Sequence, residues 1–567
     1  MKVTDYIIEY LISKGITDIF GYPGGVICHL IDSATKYKDQ ISIHTNYHEQ
    51  ASAFAACGYA QRKCNVGVAF STSGPGATNL ATGIANAYFD SIPTVFLTGQ
   101  VDTYALKGNM MVRQRGFQET DVVAMYRSIT KYSIRIDNPN DIPFEVEKAF
   151  YYAISGNPGP VLIDLPADVQ RADINVKNCK KFNPTDSFDF DYGKIIDYIV
   201  KELNRAKRPC LLIGNGVKQS GCREDVIKLV NAISIPTVSS MPAVDLLPFD
   251  NSCNFGFIGA NGHRYANFVL GKSDLILSLG SRLDLKQVGN NRNEFAPNSK
   301  IIRVDIDDGN FENKLNNTTC IKADIKQLIN GIVQNNTINV IDASWLLTCK
   351  QIKEKLLGFD NTSYTEILKE VLRIIPNGVS ITADVGQHEV WIAQQIEIKD
   401  KQTLHLSAGH GSMGYSLPAA IGVYYASRKP VYCFAGDGGI QMNIQELQFL
   451  SREQIPVCVI IINNNSLGMI RGFQEANFNG NYSQTTSESG YTVPNFELIA
   501  NAYGLSYRSI KDIYDISRIE FFNDRPSIIE VKIQNETRLM PNFGHSSAIQ
   551  DQRPYIDREL YNELMKL

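Results

Sequence analysis

Residues 434 to 443 read FAGDGGIQMN: one carboxylate, Asp437, set among Gly436, Gly438 and Gly439 directly after the apolar run VYCFA. A glycine-rich turn lets backbone N–H groups approach a ligand closely, which suits anions such as phosphate. A carboxylate in the same turn repels phosphate. The conflict disappears if a hard divalent cation lies between them, because such a cation takes carboxylate and phosphate oxygens together.

Downstream, NIQELQFLSREQ reads as a helix and IPVCVIII as a strand that ends in Asn463, Asn464 and Asn465. Asp437 and Asn464 are 27 residues apart. That is enough for a crossover helix between neighbouring parallel strands, whose C-terminal ends then lie side by side. A carboxylate oxygen, an amide oxygen, a nearby backbone carbonyl and diphosphate oxygens would make an octahedral Mg²⁺ site. A lone GDG is a weak pattern, and asparagines after a strand usually mark a turn; together at this spacing, followed by SLGM, they are far more specific.

Positioning such residues takes parallel sheets wrapped by helices, and three stretches of the chain alternate β-rich runs with helical patterns as an α/β fold requires. The first holds VGVAFSTSGPGATNLATGIANAY, TVFLTG and GPVLIDLP. The second holds RPCLLIGNGV, IPTVSSMP, SDLILSLGSRLD and KIIRVDID, and the third GVSITADVG, PVYCFAGDGG, IPVCVIIINNN and PSIIEVKI. The polar stretches NVKNCKKFNPTDSFDFDYG and GIVQNNTINVIDASWLLTCKQIKEKL connect them. The expectation is three doubly wound parallel-sheet domains at 1–180, 190–335 and 360–567. At the start of the chain, Thr4 is expected to cap a helix with Ile7, Ile8, Leu11 and Ile12 on its apolar face.

With 567 residues, 44% hydrophobic, 20% charged and a formal net charge of −4, the composition is that of a globular protein without the charge runs that mark nucleic-acid or membrane-surface partners. No signal peptide or membrane-length apolar run is read. Eleven scattered cysteines without a CxxC pair suit reduced thiols in a cytoplasm. His44, His48 and Glu49 raise the question of zinc, but ISIHTNY reads as extended and offers no third ligand. Glycine turns such as GNGVKQSG raise that of a nicotinamide dehydrogenase, but no GxGxxG follows a strand.

The Asp437–Asn464 pair resembles the diphosphate-binding motif of thiamine diphosphate (ThDP) enzymes. The resemblance implies Asp437, Asn464 and the Ser466 carbonyl as metal ligands. It also demands a glutamate in the first domain that protonates the cofactor's aminopyrimidine, and NYHEQASAFAACGYAQ supplies Glu49. The small, apolar sequel ASAFAACGYA buries the helix start, and burial favours the protonated acid that a proton donor needs. The likeness sharpens to the acetolactate synthases through GYPGG, STSGPGATN, TGQV, GFQET, RSITK and GPVLIDLPADVQ in the first domain. In the third it runs through DVGQHEVWIAQ, GSMGYSLPAAIG, GDGGIQMNIQEL and NNNSLGMI.

On that resemblance Gly386, Gln387 and His388 hold the diphosphate, and Gly411 precedes Met413, the apolar wedge beneath the bent cofactor. Leu467, Gly468 and Met469 continue the cofactor site, with plain core methionines as the alternative reading of Met413 and Met469. Gln100 lines the reaction centre, Gly24 and Gly25 leave room for substrate near Glu49, and Val26 and Phe473 line the substrate pocket. In the middle domain, GNGVKQS, GANGHRYAN, LGSRLD and RVDID resemble FAD-binding turns, with Arg282 best placed for the flavin. The implied activity is decarboxylation of pyruvate and transfer of its two-carbon unit to an acceptor carbonyl. Active sites would lie between the subunits of a homodimer or tetramer; a regulatory subunit is left open.

Departures from the acetolactate synthase pattern are Asn157 for an arginine near the flavin, Ala167 for a lysine and Phe473 for a tryptophan. RGFQEANFNGNYSQTTSESGYTVP and the tail GHSSAIQDQRPYIDREL also depart. These look more like a divergent branch, some of whose members add a two-carbon unit from pyruvate to a keto-sugar nucleotide, which is the first alternative. The second, of another class, is a catalytically silent ThDP-fold protein with a regulatory or structural role. The joint presence of Glu49, Asp437 and Asn464 counts against it.

Overall fold

The computed structural model describes residues 1–184, 190–335, 337–517, 524–534, 537–543 and 548–567, so parts of the first connection and of the tail lie outside the described residues. Three six-stranded sheets, each wholly parallel, follow one another along the chain. The first comprises β1 (Asp18–Gly21), β2 (Ser42–Thr45), β3 (Gly67–Ser71), β4 (Thr94–Gln100), β5 (Tyr132–Arg135) and β6 (Pro160–Pro166), in the order β2-β1-β3-β4-β6-β5. The second comprises β7 (Pro209–Ile213), β8 (Thr237–Ser239), β9 (Asn254–Phe257), β10 (Leu275–Leu279), β11 (Lys300–Asp305) and β12 (Thr318–Lys322), in the order β12-β11-β10-β7-β8-β9. The third comprises β13 (Ser380–Ala383), β14 (Thr403–Leu406), β15 (Val431–Gly436), β16 (Val457–Asn463), β17 (Ser506–Ile510) and β18 (Ser527–Lys532).

Its order, β14-β13-β15-β16-β18-β17, repeats the first sheet position for position, whereas the middle sheet has the order of dinucleotide-binding folds. In the third sheet the order reverses between β13 and β15. A crevice at the C-terminal ends of strands beside such a reversal is where open α/β sheets bind ligands. The interior strands are rich in leucine, isoleucine and valine and buried on both faces, as helices on each side of a parallel sheet require.

The first helix differs from the sequence expectation at its cap. It spans Val3–Ser13 with Lys2 as N-cap, and Thr4 lies inside it, its hydroxyl 2.7 Å from Ser33 Oγ. Lys2 forms an isolated bridge with Asp173, so the helix starts as soon as the chain leaves that bridge. His44 is held by Asp18 at 2.8 Å and stacks on Tyr425, and His48 Nδ1 accepts the Gln50 N–H. Among the described residues no group of three His, Cys, Asp or Glu is placed to hold a metal ion, and no helix is long and apolar enough to cross a membrane.

The first and third sheets are locked together by two helices, Glu49–Lys63 and Ser416–Ser427, that cross at glycines. A Cβ on Gly58 would lie 2.2 Å from the Ala419 carbonyl oxygen, and one on Gly422 would lie 1.8 Å from that of Ala55. Both obstacles are backbone and cannot swing aside. Glu446 adds a polar latch: its carboxylate accepts the Tyr47 N–H at 2.8 Å and the Asn46 amide at 2.9 Å. Gly422→Ala should therefore destabilise the protein by about 1–3 kcal/mol through overpacking, seen as a lower denaturant midpoint. Gly472→Ala, where a Cβ meets nothing within 4 Å, should cause no loss; equal losses would refute the close-packing account.

Candidate active site

Asp437 immediately follows β15, whose last residue, Gly436, pairs with Ile462 of β16. That register carries the aspartate to the loop leaving β16. Its Oδ2 accepts the Asn464 N–H at 3.1 Å, and its Oδ1 accepts the Tyr491 hydroxyl at 2.8 Å. The side chain is only 2% exposed. Burial pushes its carboxyl up to about 6, against the pull of Tyr491 and of backbone N–H groups at Asn464, Asn465 and Ser466. The two residues expected to share a cation are thus in direct contact.

Around them lies a cradle that side chains would fill. A Cβ on Gly438 would lie 2.8 Å from Leu467 Cδ2 and 3.5 Å from Met413 Cε, and one on Gly468 would lie 2.3 Å from Gln387 Oε1. The Gly439 position is pressed against Asp384 at 2.2 Å. Gly386 leads into the helix Gln387–Gln395, and Gly436 faces the His388 ring. His388 is buried with its Nε2 unpartnered; burial takes its imidazole down to about 4, so it is neutral. Gly411 has φ +73°, a conformation glycine adopts without strain, and a Cβ there would meet open space. Met469 is exposed at 40% rather than a core residue, and Phe473, one turn further along the helix Gly468–Asn477, is exposed at 57%.

The sequence reading missed three residues that hold this arrangement. Asp384, at the end of β13, accepts the N–H groups of Gly414 (3.0 Å) and Tyr415 (3.2 Å), and so fixes the turn that carries Met413. Thr537 donates its hydroxyl to Gln387 Oε1 at 2.7 Å and accepts the Asn464 amide at 3.0 Å. Tyr491 belongs to a segment whose Thr485 carbonyl accepts Ser466 Oγ and the Leu467 N–H. Asp384 was legible as the first residue of DVGQHE; Thr537 and Tyr491 carry no local signal.

In the first domain Glu49 opens the helix Glu49–Lys63 and is 8% exposed. Asn79 donates to its Oε2 at 2.9 Å, while a Cβ on Gly76 would stand 3.0 Å from Oε1. A Cβ on Gly25 would meet nothing within 4 Å, so the chain leaves open space there, and the adjacent Val26 carbonyl accepts Gln170 at 2.6 Å. Gln100 is buried, and its amide is spent within its own domain on the Thr120 carbonyl, Asp164 and the Val101 N–H. Arg282 stands past β10, paired with Asp284 at 2.9 Å, and does not join the third-domain cluster.

Comparison with known proteins decides what this geometry belongs to. The N-terminal, central and C-terminal domain models of thiamine pyrophosphate enzymes match residues 1–125, 196–332 and 384–531. The acetolactate synthase large subunit of Lactococcus lactis is 35% identical over 547 residues, covering 94% of this chain and 93% of that protein. The chain belongs to the thiamine pyrophosphate enzymes. The Escherichia coli acetolactate synthase isozyme 2 large subunit is 32% identical, over 95% of this chain and 97% of its own length. A probable acetolactate synthase large subunit of Methanocaldococcus jannaschii is 33% identical, over 100% and 98%. This ThDP enzyme is therefore acetolactate synthase-like.

Since Thr537 bonds both Gln387 and Asn464, Thr537→Val should loosen both residues. ThDP affinity measured by equilibrium dialysis should fall about five- to thirtyfold, the range of one or two lost hydrogen bonds. Unchanged affinity would show that the contact is incidental.

Proposed function

We propose that this enzyme is a Mg²⁺-dependent carboligase that decarboxylates pyruvate and passes the two-carbon unit to an acceptor carbonyl. The observation that carries the proposal is the buried Asp437 carboxylate, set beside Asn464 in a glycine cradle with a donor set made wholly of oxygen. Such a set suits a small hard cation that also takes diphosphate oxygens. The Asp437 and Asn464 side chains and the Ser466 carbonyl would hold the cation. Gly386, Gln387 and His388 would flank the diphosphate. When bound, ThDP would supply the electron sink for the bonding pair left behind as CO₂ departs.

The chain's own residues do the rest. Asn79 anchors Glu49 Oε2, and Gly76 leaves Oε1 clear, so Glu49 holds and delivers a proton at Oε1. Asp384 fixes the Met413 turn, which places an apolar wedge beside the glycine cradle. The space at Gly25, beside Val26, would admit the donor. Gln100 acts through the network it ties at the ends of β4 and β6. Met469 and Phe473 face the acceptor.

A second copy of the chain would complete the site, in keeping with the exposed apolar residues Met111 (100%), Phe117 and Tyr104 of the first domain. FAD has Arg282 and the glycine turns as support. Against it, the Gly216 N–H in the first of these turns is donated to the Gly280 carbonyl, and Asn157 bonds Asp307. No step above runs through it. The eleven cysteines are all free thiols, which supports the cytoplasmic reading.

The exposure of Phe473 and Met469 favours one further reading, a larger ketone such as a keto-sugar nucleotide as acceptor. Mass spectrometry of products from purified protein with ThDP, Mg²⁺ and pyruvate, with and without such ketones, tests both. Acetolactate from pyruvate alone supports a small keto acid as acceptor; CO₂ release accelerated only by the sugar ketone, with a two-carbon adduct, supports the larger one. Glu49→Gln should abolish CO₂ release while ThDP stays bound, and normal turnover in that variant would refute the proton role.

A further inference from the structure

From Asp437 the chain runs into the short helical stretch Ile440–Glu446, which breaks at Asn443 (φ −136°, ψ 33°). Asn443 and Glu446 are both buried, and both bond groups of the first domain that flank Glu49 in the chain. Before it, the Glu446 carboxylate accepts the Tyr47 N–H at 2.8 Å and the Asn46 amide at 2.9 Å, and the His48 N–H points at it as well. After it, Asn443 Nδ2 donates to Gln50 Oε1 at 3.2 Å. The same Nδ2 donates to the Gly414 carbonyl at 2.8 Å, while the Gly414 N–H is held by Asp384, so the turn carrying Met413 is gripped from both ends.

We propose that Glu446 and Asn443 are positioning residues that fix the Glu49 carboxyl for proton delivery. This rests on the proton role of Glu49 proposed above. N–H groups at a helix start have no partner within the helix, and a carboxylate that accepts them sets the path of the chain there. Glu49 has Asn79 on one oxygen, so its other oxygen stands where the backbone puts it. A displacement of about 1 Å at a reacting group can cost about a hundredfold in rate. A staple between domains would not need buried groups on both sides of Glu49, because Arg452 already ties the Thr45 carbonyl (2.9 Å) and the Tyr47 hydroxyl (3.1 Å) at the exposed rim.

Two measurements test this. In the apoprotein, amide hydrogen–deuterium exchange read by mass spectrometry reports on residues 46–50. In holoenzyme saturated with ThDP and Mg²⁺, exchange of the cofactor's C2 proton, read by NMR after acid quench, reports on proton delivery itself. Glu446→Ala should speed amide exchange across 46–50 about tenfold or more. It should slow C2 exchange about ten- to a hundredfold, with ThDP affinity within about threefold of wild type. Asn443→Ala should also slow C2 exchange, and Asn46→Ala, which leaves Glu446 in place, is the milder variant and should slow it about threefold or more. Asn46 Oδ1 has no partner among the described residues, so a turned Asn46 can accept the amide of Glu446→Gln while its remaining oxygen keeps the Tyr47 N–H. That variant should therefore return most of the rate.

Wild-type C2 exchange in Glu446→Ala and Asn443→Ala overturns the proposal. So does a fall in ThDP affinity in step with the exchange rate, or an equal slowing in Arg452→Ala, since either marks a general loosening of the domain contact. Fast C2 exchange in Glu49→Gln refutes the proton role and the proposal with it, whereas unchanged amide protection in Glu446→Ala overturns the proposal alone.

Discussion

A carboxylate stripped of water at the mouth of a parallel sheet is the constraint from which the rest of this enzyme follows. Asp437 is nearly inaccessible, and the hydrogen bonds it accepts from Tyr491 and Asn464 do not cancel a buried charge. A cation does. The pairing of β15 with β16 brings the asparagine loop to it, and the glycines on either side keep open a space that side chains would fill. Thr537 and the Thr485 carbonyl hold that loop from the far side.

Two other buried carboxyls organise the surroundings. Burial pushes Asp384 up to about 7 while it gathers the N–H groups that set the Met413 turn. Glu446 is likewise pushed up to about 7, and it ties the third domain to Asn46 and Tyr47, directly before the helix that Glu49 opens. Glu49 and the glycine cradle therefore belong to two domains that one glycine-packed helix pair joins. Among the described residues, the middle sheet, with its own strand order, supplies no hydrogen-bond partner to Asp437, Asn464 or Thr537.

Much of this was legible in the sequence because burial on both faces leaves a strong trace. Interior strands such as β3, β4, β6, β10 and β16 read as continuous apolar runs. Of the strands that were not read, β5, β9, β12, β14 and β17 lie at sheet edges, where half-buried positions break the run. The contact of Asp437 with Asn464 was legible because both residues follow strand ends at crossover spacing. Thr537 and Tyr491 were not, since their contacts span 73 and 54 residues. The expected cap at Thr4 failed because a backbone bridge, which no local pattern announces, moved the helix start.

The central claim is that Asp437 tolerates a diphosphate only across a divalent cation. Equilibrium dialysis of ThDP against metal-stripped protein, in Mg²⁺ and in EDTA, tests it most directly. The account predicts saturable binding with Mg²⁺ and a loss of about a hundredfold or more in EDTA, the scale of leaving a buried charge uncompensated. ThDP held as tightly in EDTA as in Mg²⁺ would contradict it.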